Sequence, residues 1–374
     1  MKKFTCPYCY EKHTDNDCYF KCSYNIKGVK KECKYDFPKN SDGTINHKYI
    51  KKCAKCDSAK LSRFCPNNKN GRLWEIPDRA CNDNFSIALI GAKSSGKTNY
   101  IAVLINEIKK KMAKSFDCSL IMINQRTVDN YKTIYYKPLY ENSTVVQVTD
   151  SGETEPLICS IDFFETKKNK SRVKDSITLS LYDTAGENFD REDTMLCNTQ
   201  YIANAQGIIV LLDPLQIPSI RDQLQNKINL PPKNTDTTDI LSLVINNIRD
   251  RRKIVGTIDI PVALAFTKID LLLKYNIIPE ESCLQMESEH VATGAFVKSD
   301  FENTNIEMTD LLENMLDDEL TQLLKTFSKY SFFGLSALGE NPNGASLNGQ
   351  PKPIRVLDPL LWLLSLEKKI KSVN

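Results

Sequence analysis

Apolar residues in this 374-residue chain gather into short β-rich runs, each ending at a polar or glycine-bearing turn. FSIALIG (85–91), CSLIMI (118–123), PLICSIDFF (156–164), SITLSLYD (176–183), GIIVLLD (207–213), PVALAF (261–266) and SFFGLS (331–336) are runs of this kind. Their length and bounds predict buried strands. Between several of them the apolar period changes to that of a helix. Ile101, Leu104, Ile105, Ile108 and Met112 share one face of a helix predicted from about Thr98 to Lys114, with Lys109, Lys110 and Lys111 on the other face. Further helices are predicted over 239–252 and 306–328. A last one is predicted with Asp358 as N-cap, Pro359 as its first residue and lysines in its final turn. Strands alternating with helices predict an α/β layered domain with a mostly parallel sheet. Residues 229–238 and 339–353 are polar, Pro- or Gly-rich and predict loops.

Composition narrows the class. Hydrophobic residues make up 41% and charged residues 26%, which fits a globular chain and is too apolar for a disordered one. No apolar run approaches the roughly 20 residues that span a bilayer. The start, MKKFTCPYCYEK, has no apolar stretch behind its lysines, so a cytoplasmic protein with no membrane partner is expected. The net charge of +3 conceals an uneven distribution: residues 1–80 hold 18 Lys+Arg against 9 Asp+Glu. Nine of the 13 cysteines lie in the first 81 residues. Two units are therefore expected, a basic Cys-rich module over 1–84 and an α/β domain over 85–374.

The segment GAKSSGKT (91–98) follows a predicted strand and opens a predicted helix. In that setting G-x-x-x-x-G-K-[ST] is a phosphate cradle. Gly91 and Gly96 let the backbone curl so that its N–H groups, aided by the helix N-terminus, face the phosphates. Ser94, Ser95 and Asn99 fall in the same wrap, Lys97 is expected to reach the β- and γ-phosphates, and the Thr98 hydroxyl to ligate Mg²⁺. Three later segments each end a predicted strand. In LYDTAGE (181–187), Asp183 would hold Mg²⁺ through water and the Gly186 N–H would report on the γ-phosphate. In TKID (267–270), the Asp270 carboxylate can accept from guanine N1–H and its exocyclic amine, whereas adenine presents an acceptor. Lys268 would lay its stem along the base, next to Thr267. In Ser336-Ala337-Leu338, the Ala337 N–H would meet the guanine O6.

These motifs, in this order and at strand ends, resemble those of the TRAFAC class of P-loop GTPases in its Ras-like form. The resemblance covers about residues 85–371, with insertions near 115–155 and 271–330. The Cys-rich start, GAKSSGKTNYIAVLI, DTAGE and the closing VLDPLLWLL are similar to the double-GTPase family of bacterial NTP-dependent conflict systems. The resemblance implies GTP or GDP with Mg²⁺, switch loops over 124–155 and 183–200, and a catalytic set of Lys97, Gly186 and Glu187. Glu187 stands where Ras-like enzymes carry a water-orienting glutamine. A glutamate accepts a proton but donates none, which fits a base assisted by a cation, slow hydrolysis until a partner supplies an arginine, or a binding-only switch; slow, partner-stimulated hydrolysis is favoured. The switch threonine is not fixed by the sequence; of Thr144, Thr149 and Thr154, Thr149 is the one guessed at. Arg126, Arg172 and Arg191 are possible arginine fingers, or ordinary surface residues.

Cys6-x-x-Cys9 and Cys53-x-x-Cys56 have the spacing by which one turn offers two thiolates to a tetrahedral metal. With Cys18, Cys22, Cys33 and Cys65 they make eight ligands for two Zn²⁺ ions; the pairing is not readable, His13 and His47 are nearby, and Cys81 fits either a ligand or a small buried residue. Disulfides fit poorly with a reducing compartment. The module's charge and eleven aromatics suit protein docking or structural support above nucleic-acid binding. The leading expectation is a GTP-dependent switch with a protein partner, and two G domains pairing is open. A GTP-binding scaffold whose zinc module is the working surface is the second reading, and a P-loop ATPase or kinase on nucleic acid the third, with TKID and the Ser-Ala-Leu segment against it.

Overall fold

The computed structural model describes residues 3–9, 11–22, 41, 52–53, 56–59, 61–67, 74–78, 85–92, 95–146, 156–167, 170–181, 202–233, 237–313, 315 and 318–374. At the N-terminal end β1 (Phe4–Thr5) pairs antiparallel with β2 (Lys12–His13). β3 (Tyr19–Cys22), β4 (Leu61–Phe64) and β5 (Glu75–Ile76) form a second small antiparallel sheet. Then come β6 (Ile87–Gly91), α1 (Lys97–Glu107), β7 (Cys118–Met122), α2 (Gln125–Asn130), β8 (Leu157–Lys167) and β9 (Lys170–Leu181). β10 (Gly207–Leu212), α3 (Pro218–Leu224), α4 (Thr237–Arg252), β11 (Val262–Phe266), α5 (Ile269–Lys274) and β12 (Phe296–Val297) follow. α6 (Lys298–Glu313), α7 (Asp318–Leu324), β13 (Tyr330–Gly334), α8 (Asp358–Leu366) and β14 (Ser372–Val373) complete the order.

The central sheet runs β13-β11-β10-β6, all parallel. Its strands read as continuous apolar runs because both faces are covered. Ile87, Leu89, Ile209, Leu211, Ala263, Ala265 and Phe333 point into a core closed by α1 and α8. The alternate residues Ala88, Ile90, Ile208, Val210, Val262, Leu264 and Phe332 enter a second core closed by α3, α4, α5, α6 and α7. Period-2 alternation thus sorts every strand between two helix layers. Beside β6 lies β9, the edge of an antiparallel sheet in the order β7-β8-β9.

Several expected boundaries move. The strands near 156–164 and 176–183 are arms of one long hairpin, with Lys167 opposite Lys170 at its far end. Its outer half is polar and exposed, so it carries no apolar signal. The segment expected as a switch loop from 124 is helical over 125–141. Asn124 caps α2 by accepting the Thr127 N–H at 2.7 Å, and Tyr131, Tyr135 and Leu139 bury one stripe of the π-type helix Tyr131–Glu141. The helix expected over 306–328 is two, α6 and α7. α6 starts early because its first turns are polar, with Asp300 and Thr304 in the stripe that Met308 and Leu312 continue.

The closing helix is also entered differently. Leu357 is the N-cap and Asp358 the first residue, because Arg355 Nε, 2.8 Å from Asp358 Oδ2, draws that carboxylate away from the helix N–H groups. The lysines fall beyond α8, where the chain turns into β14 and pairs with β12. Arg355 also bonds Asp300, so one buried guanidinium joins the entrance of α8 to α6. Burial opposes its charge, yet Asp358 and Asp300 outweigh that and raise its pKa. Removing the cation leaves two carboxylates with no counter-charge in a water-poor site. Arg355→Leu is expected to destabilise the protein by about 3–5 kcal/mol, read as a lower urea midpoint. Arg355→Leu combined with Asp300→Asn and Asp358→Asn should recover part of that loss.

Candidate functional site

Hydrogen-bond register sets the site before any side chain does. Gly91 lies opposite Leu211, Leu211 opposite Ala265, and Ala265 opposite Phe333. The four parallel strands therefore end level, and the loops that follow them share one edge of the sheet. That edge brings together Ser95, Gly96, Lys97, Thr98 and Asn99, then Thr267, Lys268 and Asp270, then Ser336, Ala337 and Leu338. Ser94 lies outside the described residues, as do Asp183, Gly186 and Glu187.

The phosphate end is built on backbone. Gly96 is the N-cap of α1 with φ +86°, and a Cβ there would meet nothing within 4 Å, so the turn opens on unfilled space. The first N–H groups of α1 lie at this turn, the helix end that favours anions. Lys97 is buried at their base. Asn99 Oδ1 accepts the Val146 N–H at 3.0 Å and ties the end of the 125–146 segment to α1 next to Thr98. Thr144, a candidate switch threonine, turns its hydroxyl to the Pro138 carbonyl at 3.3 Å. Thr149, Thr154 and Arg191 are outside the described residues. Arg172 sits nine residues before Leu181, on the exposed outer half of β9 and opposite Glu165.

The base end is held by side chains. Lys268 is in the left-handed region, φ +57°, and its Nζ donates to Asp213 Oδ2 at 2.6 Å. Asp213 is buried at the end of β10 and was missed in the sequence, although LLDP places a carboxylate at a strand end where ligands bind. It fixes the direction of the lysine stem. Thr267 donates its hydroxyl to the Leu212 carbonyl at 3.1 Å, so it braces the loop. Asp270 is pushed up by burial, against which a Ser336 hydrogen bond and the Lys268 charge stabilise its anion. The Ser336 Oγ also accepts the Gly339 N–H at 2.9 Å. Gly339 has φ +74°, and a Cβ there would come 2.0 Å from the Lys352 carbonyl oxygen, so only glycine fits. Mutual bonds between Ser336 and Ile354 hold the Ser-Ala-Leu loop in place.

The Cys-rich region has two groups of donors. Cys6, Cys9, His13 and Cys65 are buried with all ligand atoms within 4.8 Å of one another. Cys9 Sγ is 3.1 Å from His13 Nε2 and 3.5 Å from Cys65 Sγ. Tetrahedral zinc with Zn–S bonds of about 2.3 Å separates two sulfurs by about 3.8 Å, so the set fits a Cys₃His site. Hydrogen bonds from Cys6 and Cys65 drive Cys9 toward thiolate, while burial pushes Cys6 up. Cys22, Cys53 and Cys56 form the second group, with Cys22 and Cys56 sulfurs 3.5 Å apart. Cys18 is buried outside both groups, and Cys33 and Cys81 lie outside the described residues. His13, not a fourth cysteine, completes the first group; its signal was a histidine four residues after Cys9.

This region is fastened to the β7-β8-β9 sheet. Ile158 of β8 joins the core made by Phe4, Cys6, Cys9, Phe20 and Ile76. Asn124 Nδ2 donates to the Tyr8 hydroxyl at 3.2 Å, and Tyr8 stacks on Trp74 with centroids 5.1 Å apart.

Residues 86–327 match the family model described as Double-GTPase 2. The chain is 25% identical over 306 residues to the putative ESX-1 scaffolding and assembly protein SaeC of Mycolicibacterium smegmatis, covering 75% of this chain and 74% of that protein. Among solved structures it is similar to the Arl6 BBS3 small GTPase of Trypanosoma brucei, at 14% identity and TM-score 0.30, covering 77% of this chain and 99% of that one. It is also similar to the signal recognition particle receptor SRb–SRX complex of Chaetomium thermophilum, at 18% identity and TM-score 0.31, covering 70% and 94%.

Proposed function

The chain belongs to the Double-GTPase 2 family, and from that membership we propose that it is a GTP-dependent switch that hydrolyses GTP slowly until a protein partner stimulates it. The observation that carries the reading is the level ending of four parallel strands, which sets Gly96–Thr98 and Lys268–Asp270 along one edge. Lys97 and the N–H groups of α1 hold the phosphates. Thr98, with Asp183 from outside the described residues, would hold a Mg²⁺ ion that neutralises charge on the β- and γ-phosphates. Asp270 reads the guanine edge, Lys268 supports the base, and Asp213 keeps Lys268 in place. Ala337 and Leu338 close the loop over the base. Gly186 and Glu187 are assigned to the γ-phosphate and the attacking water.

The reading includes a boundary near residue 84 and two zinc ions in the module before it. Cys6, Cys9, His13 and Cys65 would hold one ion; Cys22, Cys53 and Cys56, with Cys33, would hold the other. The chain's place in a bacterial conflict system and in the cytoplasm belongs to the proposal as well. Among the described residues no helix is long and apolar enough to cross a membrane.

A second reading is favoured by the mycobacterial relative, whose name assigns it scaffolding and assembly. In that reading nucleotide is bound to stabilise a scaffold. Single-turnover hydrolysis separates the two: measurable turnover that Lys97→Ala abolishes supports the switch. Tight GTP binding with turnover equal to a protein-free blank, with and without partners, supports the scaffold.

A further inference from the structure

The outer half of the β8–β9 hairpin stands away from the central sheet and is basic. Lys170, Arg172 and Lys174 of β9 are exposed, and Val173 between them is 53% exposed. Further cations lie nearby. Lys369, at the C-terminal end of the chain, bonds Asp175 Oδ2 at 3.1 Å, and Phe164 N–H bonds the Asp117 carbonyl at 2.8 Å. Those bonds place the exposed Lys114, Lys368 and Lys371 at the same end of the molecule. Among the described residues named here, four carboxylates stand against seven cations: Glu165 faces Arg172 across the hairpin, Asp175 is held by Lys369, and Asp117 and Glu367 are exposed. This end is remote from Gly96, because Phe164 bonds Asp117, which lies beyond the far end of the helical stretch that begins at Lys97.

A second surface has the opposite sign. On α6, Glu302, Ile306, Asp310 and Glu313 follow helical spacing and are all exposed, with Ile306 at 56%. Among the described residues only five large hydrophobic side chains are exposed. One, Ile306, is at the middle of the acidic stripe; another, Val173, is on the opposite face of β9 from its neighbour Arg172. An exposed apolar residue among carboxylates has the anatomy of a protein interface, with charge setting partner and register. Phosphate polymers and lipid headgroups need no apolar centre, so these features favour a protein. Both halves of a complementary pair occur on one chain, yet each is exposed, so neither covers the other within a single copy.

We infer that the chain associates head to tail, the basic β9 arm of one copy lying along the acidic α6 stripe of the next. Such a contact joins different surfaces of the two copies, so it builds a ring or an open filament and does not close as a two-fold dimer. It rests on no nucleotide chemistry. Exposed ion pairs are individually weak and screened by salt, so the contact is weak and salt-sensitive.

Sedimentation of the full GDP-loaded chain tests it, at about 10 mM and about 1 M salt, where the Debye length is about 30 Å and about 3 Å. Wild type is expected to exceed monomer mass at low salt and to be monomeric at high salt. K170E/R172E/K174E and E302K/D310K/E313K, both on exposed positions, should each weaken association by about tenfold or more, on summed surface-pair energies. Each should keep wild-type GDP affinity, which shows it folded. Mixing the two variants restores complementary surfaces and should restore the large species. A wild type that stays monomeric at low salt overturns the inference. So does association that survives both reversals, or a mixture that stays dissociated.

Discussion

Asp270→Ala is expected to remove the preference for GTP over ATP, lowering GTP affinity by about 10²–10⁴-fold while leaving ATP affinity nearly unchanged. The estimate follows from two hydrogen bonds to a charged acceptor, each worth about 1.5–3 kcal/mol. Burial pushes the carboxylate up and Ser336 and Lys268 oppose that push; as an anion it accepts from the two guanine donors. Adenine has no donor at N1, and the anion would face a lone pair. Competition titration of a fluorescent GDP against GTP and ATP checks this. Equal losses for both nucleotides would instead mean that the variant collapses the loop, and Ser336→Ala, which removes the hydroxyl but leaves the carboxylate, should fall between wild type and Asp270→Ala.

Cys65→Ala is expected to lower bound zinc from about two equivalents to about one and to unfold the N-terminal strands, as apparent zinc binding in small modules is worth about 10–16 kcal/mol at neutral pH. The order of ligands explains why one distant cysteine matters so much. Cys6, Cys9 and His13 come from one end of the module and Cys65 from the other, so the first site closes around the chain that carries the second. The strands themselves are only two to four residues long, too short to stand without a staple. Metal content by emission spectroscopy and far-UV circular dichroism with a chelator read both effects. Full zinc content in Cys65→Ala would remove Cys65 from the ligand set. Because Ile158 and the Tyr8–Asn124 bond fasten the module to β8 and to the cap of α2, loss of zinc should also reach the start of the 125–146 segment.

The motifs were legible because their chemistry is local. A phosphate loop needs glycine, lysine and a hydroxyl within eight residues, and GAKSSGKT supplies them in one stretch. TKID and Ser-Ala-Leu are equally compact. Strands of the central sheet were legible too, since burial on both faces leaves near-continuous apolar runs. Asp213 was not, because its meaning depends on Lys268, 55 residues later, reaching it across neighbouring strand ends. The bond from Val146 to Asn99 was not legible for the same reason, as it spans 47 residues. The exposed half of the hairpin and the polar start of α6 gave no signal, as hydrophobic periodicity reports only what is buried.

By itself, then, the chain's sequence determined the phosphate loop, the guanine-reading segments, the parallel α/β core and a cysteine inventory suited to zinc. Each depends on residues adjacent in the chain or on a repeating apolar pattern. The tertiary structure alone decided that His13 joins Cys65, that Asp213 aims Lys268, that Arg355 governs the entrance to α8, and that a basic arm and an acidic stripe both face outward. Those arrangements pair side chains from distant segments, and only the fold fixes the distances over which charge and metal coordination act.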